Sequence, residues 1–295
     1  MKKRVVVAMS GGVDSSVAAV LLKEQGYDVV GVTMRLWSKD DGNAPKNNKR
    51  CCSVEDVEDA RRVCDILGIK HYHLNFEEEF QKYVVDYFVN SYVEGKTPHP
   101  CLACNDKIKF DFLFGRAQNL GSELIATGHY ARIKQNDTYK LLKGFDRNKD
   151  QSYVLFTLKQ KELKNLLLPV GEYGKDKIRE IAEKYNLPVA NKPDSQDICF
   201  IPNGNYRQFI MERTNPTPGK IIDINFLGNH DGIQSFTIGQ RRKLGLDSNG
   251  KIPYFVVKIS KEDNTIIVGP HDFLFQNELP IISIWDETYV LTIRF

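Results

Sequence analysis

The stretch SGGVDS at residues 10–15 is the feature that most constrains the fold of this chain. It directly follows an apolar run, residues 5–9, and directly precedes an amphipathic helix pattern over residues 15–25. A strand, a glycine turn and the start of a helix therefore meet at one point. This arrangement directs backbone N–H groups and the positive end of a helix dipole at an anion. The two glycines let the backbone approach phosphate oxygens closely.

Polar side chains distinguish this stretch from a plain glycine turn without a ligand, which is the alternative interpretation. Ser10 and Ser15 add hydroxyl donors, and Asp14 adds a carboxylate. No G-x-x-x-x-G-K-[ST] sequence occurs, so the loop is not a Walker A loop. The stretch resembles the pyrophosphatase loop of the PP-loop enzymes, which cleave ATP between the α- and β-phosphates and activate an acceptor oxygen as its adenylate. The resemblance implies ATP as a ligand.

Strand and helix patterns alternate through the first half of the chain. Strands are predicted at residues 5–9, 28–34, 70–75 and 123–127, and helices at residues 15–25, 55–67, 77–94, 106–119, 151–168 and 175–185. Such a series favours an α/β fold with a doubly wound parallel sheet, whose ligands bind at the carboxyl ends of the strands. Residues 10–15, Met34 and Gly128 all lie at such ends in this interpretation.

The pattern changes after residue 202. A helix is predicted at residues 206–213, followed by short β-type runs separated by Gly, Asn, Asp and Pro; these runs cover residues 220–224, 235–238, 254–259 and 265–268. A small, mainly β domain is therefore expected. A further β-type pattern follows it. The predicted domains are residues 1–202, 203–272 and 273–295.

Composition excludes several classes of protein. The chain is 41% hydrophobic and 27% charged, as expected of a globular protein. No apolar run approaches the about 18–20 residues of a membrane span, and no signal-peptide pattern opens the sequence. We therefore expect a cytoplasmic protein without a membrane partner, whose cysteines are thiols. The net charge of +3 permits a nucleic-acid partner without requiring one.

Three cysteines stand out by their context. Cys101 and Cys104 form a C-x-x-C pair, and Cys199 lies in the distant segment DSQDICF. The pair alone is compatible with a redox couple, half of a zinc site, iron–sulfur ligation or inert buried cysteines. Cys104 comes just before the helix predicted at residues 106–119, where the helix dipole would lower the thiol pKa.

Six motifs occur in order along the chain: SGGVDS, GKTPHPCxxCNxxIKF, ATGHY, DxNKDQSY, DSxxICFI and TIGQR. Together they closely resemble the tRNA-specific 2-thiouridylase family, PP-loop tRNA sulfurtransferases, over residues 4–295. The resemblance implies a PP-loop domain of the adenine nucleotide alpha hydrolase type. It also implies that the segment 273–295 begins a C-terminal β-barrel that is incomplete here, since relatives continue further.

The activity implied by the resemblance is ATP-dependent 2-thiolation of the wobble uridine in the anticodon stem-loop of tRNAs for lysine, glutamate and glutamine. The C2 oxygen would be adenylated with the help of Mg²⁺, and sulfur would come from a cysteine persulfide. The sulfur donor would be a sulfur-carrier protein or a cysteine desulfurase. Asp14 would either hold the Mg²⁺ ion or order the loop.

Residue roles follow from the resemblance in the same way. Cys104 corresponds to the nucleophile and Cys199 to the persulfide carrier. The positions that correspond to ATP contacts are Ala8, Met9, Ser10, Gly11, Gly12, Val13, Asp14, Ser15, Met34 and Gly128. The positions that correspond to tRNA contacts are His99, Pro100, Cys101, His129, Lys149, Asp150, Gln151, Arg294 and Phe295. A buried structural histidine is the alternative for His129, and an ordinary solvated lysine is the alternative for Lys149.

Cys101 departs from the family pattern, because many relatives carry Asp at this position. This departure opens a second route, in which Cys101, Cys104 and Cys199 hold a [4Fe–4S] cluster with one open iron that presents hydrosulfide to the activated base. Two other classes of function are alternatives: a PP-loop synthetase acting on a small molecule, and a non-catalytic tRNA-binding protein. The first would not need Cys104 and Cys199, and the second would form no AMP.

Overall fold

A computed structural model describes residues 2–37, 54–194, 198–201, 204–246 and 253–275, and the backbone alone of residues 278–282 and 290–294. The chain divides into two compact units. The first comprises Met1–Val84 and Cys101–Asn203, and the second comprises Val85–Pro100 and Gly204–Phe295. The second unit is therefore assembled from two separate stretches of sequence.

The described strands, in chain order, are β1 Arg4–Ala8, β2 Asp28–Arg35, β3 Lys70–Asn75, β4 Leu124–Ala126, β5 Ala131–Gln135, β6 Tyr139–Lys143, β7 Leu166–Leu167, β8 Gly219–Ile222, β9 Phe226–His230, β10 Phe255–Ser260, β11 Thr265–Gly269, β12 Glu278–Ile282 and β13 Val290–Arg294. The α-helices are α1 Val13–Glu24, α2 Val54–Leu67, α3 Glu77–Phe80, α4 Asp86–Val93, α5 Pro100–Ala103, α6 Leu113–Asn119, α7 Gln160–Asn165, α8 Lys175–Lys184 and α9 Tyr206–Met211. Two π-helical segments, Gln81–Val85 and Cys104–Phe112, join α3 to α4 and α5 to α6.

A parallel five-stranded sheet forms the centre of the first unit, with the order β3-β2-β1-β4-β7. β1 lies in the middle, and its Val5 pairs with Val29 of β2 on one side and Leu124 of β4 on the other. Val5, Val6 and Val7 are fully buried, as the apolar run predicts. The strand order reverses at β1, so the carboxyl end of β1 is the switch point at which such sheets bind ligands. The predicted α/β class is confirmed.

Helix α1 packs its apolar residues into the core of this unit. Val17, Val20 and Leu21 share a buried cluster with Ile178 and Ala182 of α8. Gly12 is the N-cap, with extended backbone. Burial rather than capping therefore fixes the position of α1 at the end of β1.

Two predicted elements of this unit differ from the structure, and one hairpin was not predicted. Residues 151–168, predicted as one helix, form the 3₁₀ turn Ser152–Val154, the short helix α7 and strand β7. The helix predicted over residues 106–119 begins earlier, at Pro100, whose fixed φ suits the first helical position. The hairpin of β5 and β6 was missed, although residues 131–134 alternate between apolar and basic side chains as a half-buried strand does.

The second unit contains a four-stranded sheet with the order β10-β11-β8-β9. Its core includes Ile221, Val256 and Ile266, each fully buried. In the same unit, α4 packs against α9 through Phe88 and Phe209, whose ring centroids lie 6.4 Å apart. This sheet agrees with the mainly β region predicted here. Residues 235–238 are not a strand, however, and the sequence analysis missed β9.

Backbone alone is described for β12 and β13, which pair antiparallel from Glu278↔Arg294 to Ile282↔Val290. The two boundaries between the three predicted domains remain predictions, including the start of a β-barrel at residue 273. Within the described ranges, no helix combines the length and the apolar composition needed to cross a membrane.

Candidate active site

The loop between β1 and α1 is held in a backbone conformation that requires glycine. Gly11 has a φ of +70°, in the left-handed region. A Cβ atom on Gly11 would lie 2.2 Å from the carbonyl oxygen of Asp56, so the first turn of α2 sits directly against the loop. Met9 at the loop's start is anchored by its N–H, which donates to the carbonyl of Val32 at 2.8 Å.

The serine hydroxyls close the loop on itself. The Ser15 Oγ accepts from the Ser10 N–H at 3.1 Å and lies 3.2 Å from the Ser10 Oγ. The Ser16 hydroxyl donates to the carbonyl of Gly12 at 2.8 Å. Ser15 is buried, whereas Ser10 is exposed. The backbone N–H groups of the first turn of α1 have no partners within the helix and are the donors that an anion would meet.

Asp14 is the centre of a partly buried network of polar contacts. Lys175 of α8 donates to both of its carboxylate oxygens, at 2.8 and 2.9 Å, and the Tyr130 hydroxyl donates to one of them at 2.6 Å. Burial raises the pKa of Tyr130, and the negative charge of Asp14 raises it further. Asp14 therefore ties the start of α1 to the residues that follow β4 and begin α8.

Asp194 extends the same network. Its carboxylate lies 2.8 Å from the Lys175 ammonium and 2.8 Å from that of Lys149. Burial disfavours its charge, but the hydrogen bonds from Lys149 and Lys175 outweigh this and lower the pKa of Asp194 to about 2. Lys149, predicted to contact tRNA, thus forms an ion pair with Asp194.

Lys192 connects the loop to helix α2. Its ammonium donates to the carbonyl of Gly11 at 2.9 Å and to the carboxylates of Asp56 and Asp59, both at 2.7 Å. Partial burial opposes the charge of Lys192, but the two carboxylates raise its pKa above the ordinary lysine value. A single lysine therefore supplies three hydrogen bonds at the back of the loop.

The segment that carries Lys192 and Asp194 is itself anchored by Arg179 of α8. The Arg179 guanidinium donates to the carbonyls of Ala190 at 2.8 Å and Lys192 at 3.3 Å. It also approaches the Asp194 carboxylate at 3.4 Å. One helix thus fixes the positions of two charged residues that face the loop.

Gly128 and Met34 lie at the ends of the two strands that flank β1, as predicted. A Cβ atom on Gly128 would lie 2.6 Å from the backbone nitrogen of Ser15 and 2.7 Å from the carbonyl carbon of Asp14. The absence of a side chain therefore lets the chain after β4 reach the start of α1. Met34 is buried in β2. Their contacts with ATP remain predictions.

His129 has the buried environment of a structural histidine. Its Nδ1 lies 2.6 Å from the Thr127 hydroxyl, and 8% of the residue is exposed. Burial lowers the pKa of His129 well below its ordinary value, and the charge of Lys109 lowers it further. The imidazole is therefore neutral at pH 7, and a contact with tRNA from this position remains a prediction.

Asp150 and Gln151 order the backbone between β6 and α7. The Asp150 carboxylate accepts from the Gly144 N–H at 2.8 Å and from the Ser152 hydroxyl at 2.9 Å. The Gln151 side chain accepts from the Tyr130 N–H at 3.0 Å. Their predicted contacts with tRNA are untested, but both residues shape the surface on which Lys149 lies.

The predicted nucleophile, Cys104, begins the π-helical segment Cys104–Phe112 and is half-buried. The sequence predicted that Cys104 comes just before a helix, but the helical segment begins at Pro100 and Cys104 lies one turn inside it. The helix dipole acts more weakly on a thiol at that position. The neighbouring Asn105 is buried and donates to the carbonyl of Val154 at 3.0 Å, and its side-chain oxygen accepts from Lys109 at 2.8 Å. A lysine ammonium is thus held one turn after Cys104.

Cys199 is half-buried in a turn closed by the Ile201 N–H, which donates to the carbonyl of Ile198 at 2.9 Å. The next residue, Phe200, packs edge-on against Phe80 with ring centroids 5.7 Å apart. This aromatic contact anchors the turn. The side chain of Cys199 therefore sits on a fixed support within the first unit.

The [4Fe–4S] alternative does not fit the described side chains. Cys101 is exposed, whereas Cys104 and Cys199 are half-buried. Across the described part of the chain, no three His, Cys, Asp or Glu residues form a group that could hold a metal ion. The predicted ligand set of Cys101, Cys104 and Cys199 is therefore not brought together.

The remaining predicted tRNA contacts lie in the second unit. His99 is exposed, and Pro100 is buried at the start of α5. Arg294 ends strand β13, for which only the backbone is described, and Phe295 lies outside the described residues. Their contacts with tRNA remain predictions.

Sequence reasoning missed the polar and charged residues that support the loop: Tyr130, Lys175, Arg179, Lys192 and Asp194. Each is far from residues 10–15 in sequence, and only the fold brings them together. A signal was present in the segment NKPDSQD, where a lysine and two aspartates surround a proline next to the Cys199 motif. Charged residues at a proline turn beside a predicted catalytic residue are a reason to expect a second functional segment.

The chain is similar to several known proteins. A family model described as the tRNA methyl transferase HUP domain matches residues 3–203, and one described as the tRNA methyl transferase PRC-barrel domain matches residues 207–270. A tRNA-specific 2-thiouridylase MnmA of Carboxydothermus hydrogenoformans is 52% identical over 281 residues, which are 93% of this chain and 76% of the relative. The protein of the same name from Clostridioides difficile is 48% identical over 286 residues, 95% of this chain and 78% of the relative. A solved 4-thiouridine synthetase–RNA complex with bound ATP is a distant match, with 15% identity and a TM-score of 0.42 over 72% of this chain and 50% of that one.

Proposed function

The chain belongs to the tRNA-specific 2-thiouridylase family, and we propose that it uses ATP to replace the 2-oxygen of the wobble uridine in tRNA by sulfur. The observation that carries the proposal is the glycine loop at the switch point of the parallel sheet, with the N-terminus of α1 behind it. This position suits a polyphosphate, because backbone N–H groups and a helix dipole converge there. The residues present therefore fit ATP.

ATP supplies the adenylyl group that turns the C2 oxygen of uracil into a good leaving group. Gly11, Gly12 and the first turn of α1 would hold the phosphates, with Met34 and Gly128 nearer the nucleoside. Asp14 orders the loop in this proposal, because Lys175 and Tyr130 already engage both of its carboxylate oxygens. Mg²⁺ would be bound mainly through the phosphates, as is usual for nucleotide sites.

Sulfur transfer would use the two half-buried cysteines. The terminal sulfur of a persulfide on Cys199 attacks C2 of the adenylated base, and AMP leaves with the former 2-oxygen. The Cys104 thiolate attacks the Cys199 sulfur, so the sulfur–sulfur bond of the persulfide breaks and a Cys104–Cys199 disulfide forms. An external thiol then reduces this disulfide.

The tRNA would bind through exposed basic and aromatic side chains as well as through the predicted contacts. On one face of the β5–β6 hairpin, Lys134 and Lys140 are exposed directly opposite each other. Phe145 and Phe156 in the same unit are exposed aromatics. Lysines of this kind suit a phosphate backbone, and aromatic faces suit unstacked anticodon bases.

Two further parts of the proposal concern the partners and the compartment. The specificity would be for the anticodon stem-loops of lysine, glutamate and glutamine tRNAs, and a sulfur-carrier protein or a cysteine desulfurase would load Cys199. The reaction would take place in the cytoplasm, where these partners are available.

Anaerobic thiolation of an unmodified lysine tRNA tests the proposal. The protein is given ATP, Mg²⁺ and a persulfide donor, and the nucleosides are analysed by mass. We expect 2-thiouridine, AMP and pyrophosphate in equal amounts, because one adenylation serves each exchange. Methylated uridine, or tRNA binding without AMP, would refute the proposal.

Cysteine variants separate the two sulfur routes. Cys104→Ser and Cys199→Ser should each abolish thiolation with the persulfide donor while ATP binding persists. The matched variant Cys101→Asp should remain active, because the proposed route does not use the Cys101 thiol. Loss of thiolation in Cys101→Asp, together with iron in the purified wild type, would instead support the cluster route.

A further inference from the structure

We propose that Lys192 is a positioning residue that orients the peptide between Gly11 and Gly12, and so aims the Gly12 N–H at the pyrophosphate part of ATP. This inference rests on the proposed function, because it takes ATP as the ligand of the loop. It assigns a role in nucleotide binding to a lysine that lies outside the predicted ATP contacts.

Peptide geometry carries the first step. The Gly11 carbonyl points at the Lys192 ammonium, 2.9 Å away. The peptide bond is trans, so its N–H points in the direction opposite to its C=O. The Gly12 N–H is therefore directed away from Lys192. Because Gly12 caps α1, this N–H adds to the donors at the helix N-terminus.

The need for such a constraint follows from the two glycines. A peptide flanked by glycines can rotate at small cost, because neither residue has a Cβ to forbid the alternative φ and ψ values. The flipped peptide would present the Gly11 oxygen, rather than the Gly12 N–H, to a phosphate. A charged hydrogen bond to the carbonyl opposes this rotation.

Two carboxylates hold the ammonium in place. Asp56 and Asp59, from the first turn and a half of α2, each lie 2.7 Å from the Lys192 Nζ. In return, Lys192 neutralises negative charges that would otherwise repel a polyphosphate nearby. The backbone carbonyl of Lys192 accepts from Arg179, so the main chain behind the side chain is anchored as well.

The experiment measures ATP and pyrophosphate binding by calorimetry in wild type, Lys192→Met and Lys192→Arg. We expect Lys192→Met to lower the affinity for ATP and for pyrophosphate by about tenfold to a hundredfold. This is the usual effect of losing one hydrogen bond to a charged group, here the bond from the Gly12 N–H to a phosphate. Lys192→Arg should recover most of the affinity, because it keeps a charged donor. In turnover, KM for ATP should rise while KM for tRNA stays constant. Lys177→Met, which removes an exposed lysine of α8, is the matched control and should bind like wild type.

Charge-neutral variants separate orientation from simple neutralisation. In Asp56→Ala/Asp59→Ala/Lys192→Met, all three charges are gone and no new side-chain donor is introduced, so the Gly11 carbonyl still lacks its donor. Because the repulsive carboxylates are gone but the peptide is not oriented, we expect this variant to bind ATP more tightly than Lys192→Met and still more weakly than wild type. If it recovers wild-type affinity, the role of Lys192 is neutralisation and the inference is wrong.

A backbone signal completes the test. In NMR spectra of ¹⁵N-glycine-labelled protein, the Gly12 amide resonance should shift downfield when inorganic pyrophosphate is added to wild type. The same resonance should not shift in Lys192→Met. Equal ATP affinity and equal amide shifts in the two proteins would overturn the inference and leave the proposed function intact. A wild type that binds no ATP would overturn both.

Discussion

Gly128→Ala tests whether close backbone packing builds the nucleotide loop. The added Cβ would lie 2.6 Å from the Ser15 nitrogen and 2.7 Å from the Asp14 carbonyl carbon, far inside the 3.4 Å at which ordinary contacts begin. Both contacts are to backbone, so no side chain can rotate away. Overpacking of this kind costs about 1–3 kcal/mol of folding free energy. The displaced backbone atoms belong to the first turn of α1, whose N–H groups would bind the phosphates, so we also expect weaker ATP binding.

The assay is thermal unfolding with and without ATP. ATP stabilises the state that binds it, so the transition that moves with ATP reports on the first unit. For a unit of this size, each kcal/mol of lost unfolding free energy lowers Tm by about 2–4 °C. The control is Gly115→Ala in α6, where a Cβ atom meets nothing within 4 Å. It should raise stability by about 0.5–1 kcal/mol, because alanine is preferred in helices. A Gly128→Ala protein as stable as Gly115→Ala, with unchanged ATP affinity, would refute the packing argument.

Two further predictions concern charge. The pKa of Asp194 is lowered in the folded state, so its contribution to stability is complete above the ordinary aspartate pKa of about 4 and is lost as the pH falls towards about 2. Lys175→Met should therefore unfold at lower urea concentration than wild type near neutral pH, with a difference that shrinks in acid; a difference independent of pH would contradict this. Lys140→Glu should raise stability by about 0.2–1 kcal/mol, because it replaces a like-charged cross-strand pair with Lys134 by an opposite-charged one. Lys140→Glu should also weaken tRNA binding and make that binding less dependent on salt concentration. The control Lys164→Glu in α7 should leave the stability of the hairpin unchanged. An unchanged salt dependence of tRNA binding in Lys140→Glu would argue against an RNA contact at Lys140.

The sequence predicted those parts of the fold that depend on local patterns. The apolar run of β1, the glycine turn and the periodicity of α1 agree with one another, and the parallel sheet follows from their alternation with later elements. The prediction failed at residues 151–168, where apolar residues at helical spacing do not form one helix. They lie instead in a 3₁₀ turn, the short helix α7 and strand β7. There, pairing of β7 with β4 outweighed helical periodicity.

The candidate site was predictable where it depends on a motif and not where it depends on contacts between distant segments. The motif at residues 10–15 indicates a phosphate loop by itself. Nothing local in the sequence shows that Asp14 is engaged by Lys175, or that Gly11 is engaged by Lys192, because those contacts span more than a hundred residues. The π-helical backbone after Cys104 is likewise a result of tertiary packing, which single-sequence patterns do not report.

The split of the second unit has a consequence for synthesis on the ribosome. Residues 85–100 leave the ribosomal exit tunnel long before residues 204–295, with which they form one compact unit. During that interval, Phe88 and Tyr92 of α4 lack their aromatic partners in α9. The nascent chain therefore carries an uncovered apolar helix through the translation of the whole remainder of the first unit. We therefore expect a chaperone that recognises exposed apolar helices to engage α4 until α9 emerges.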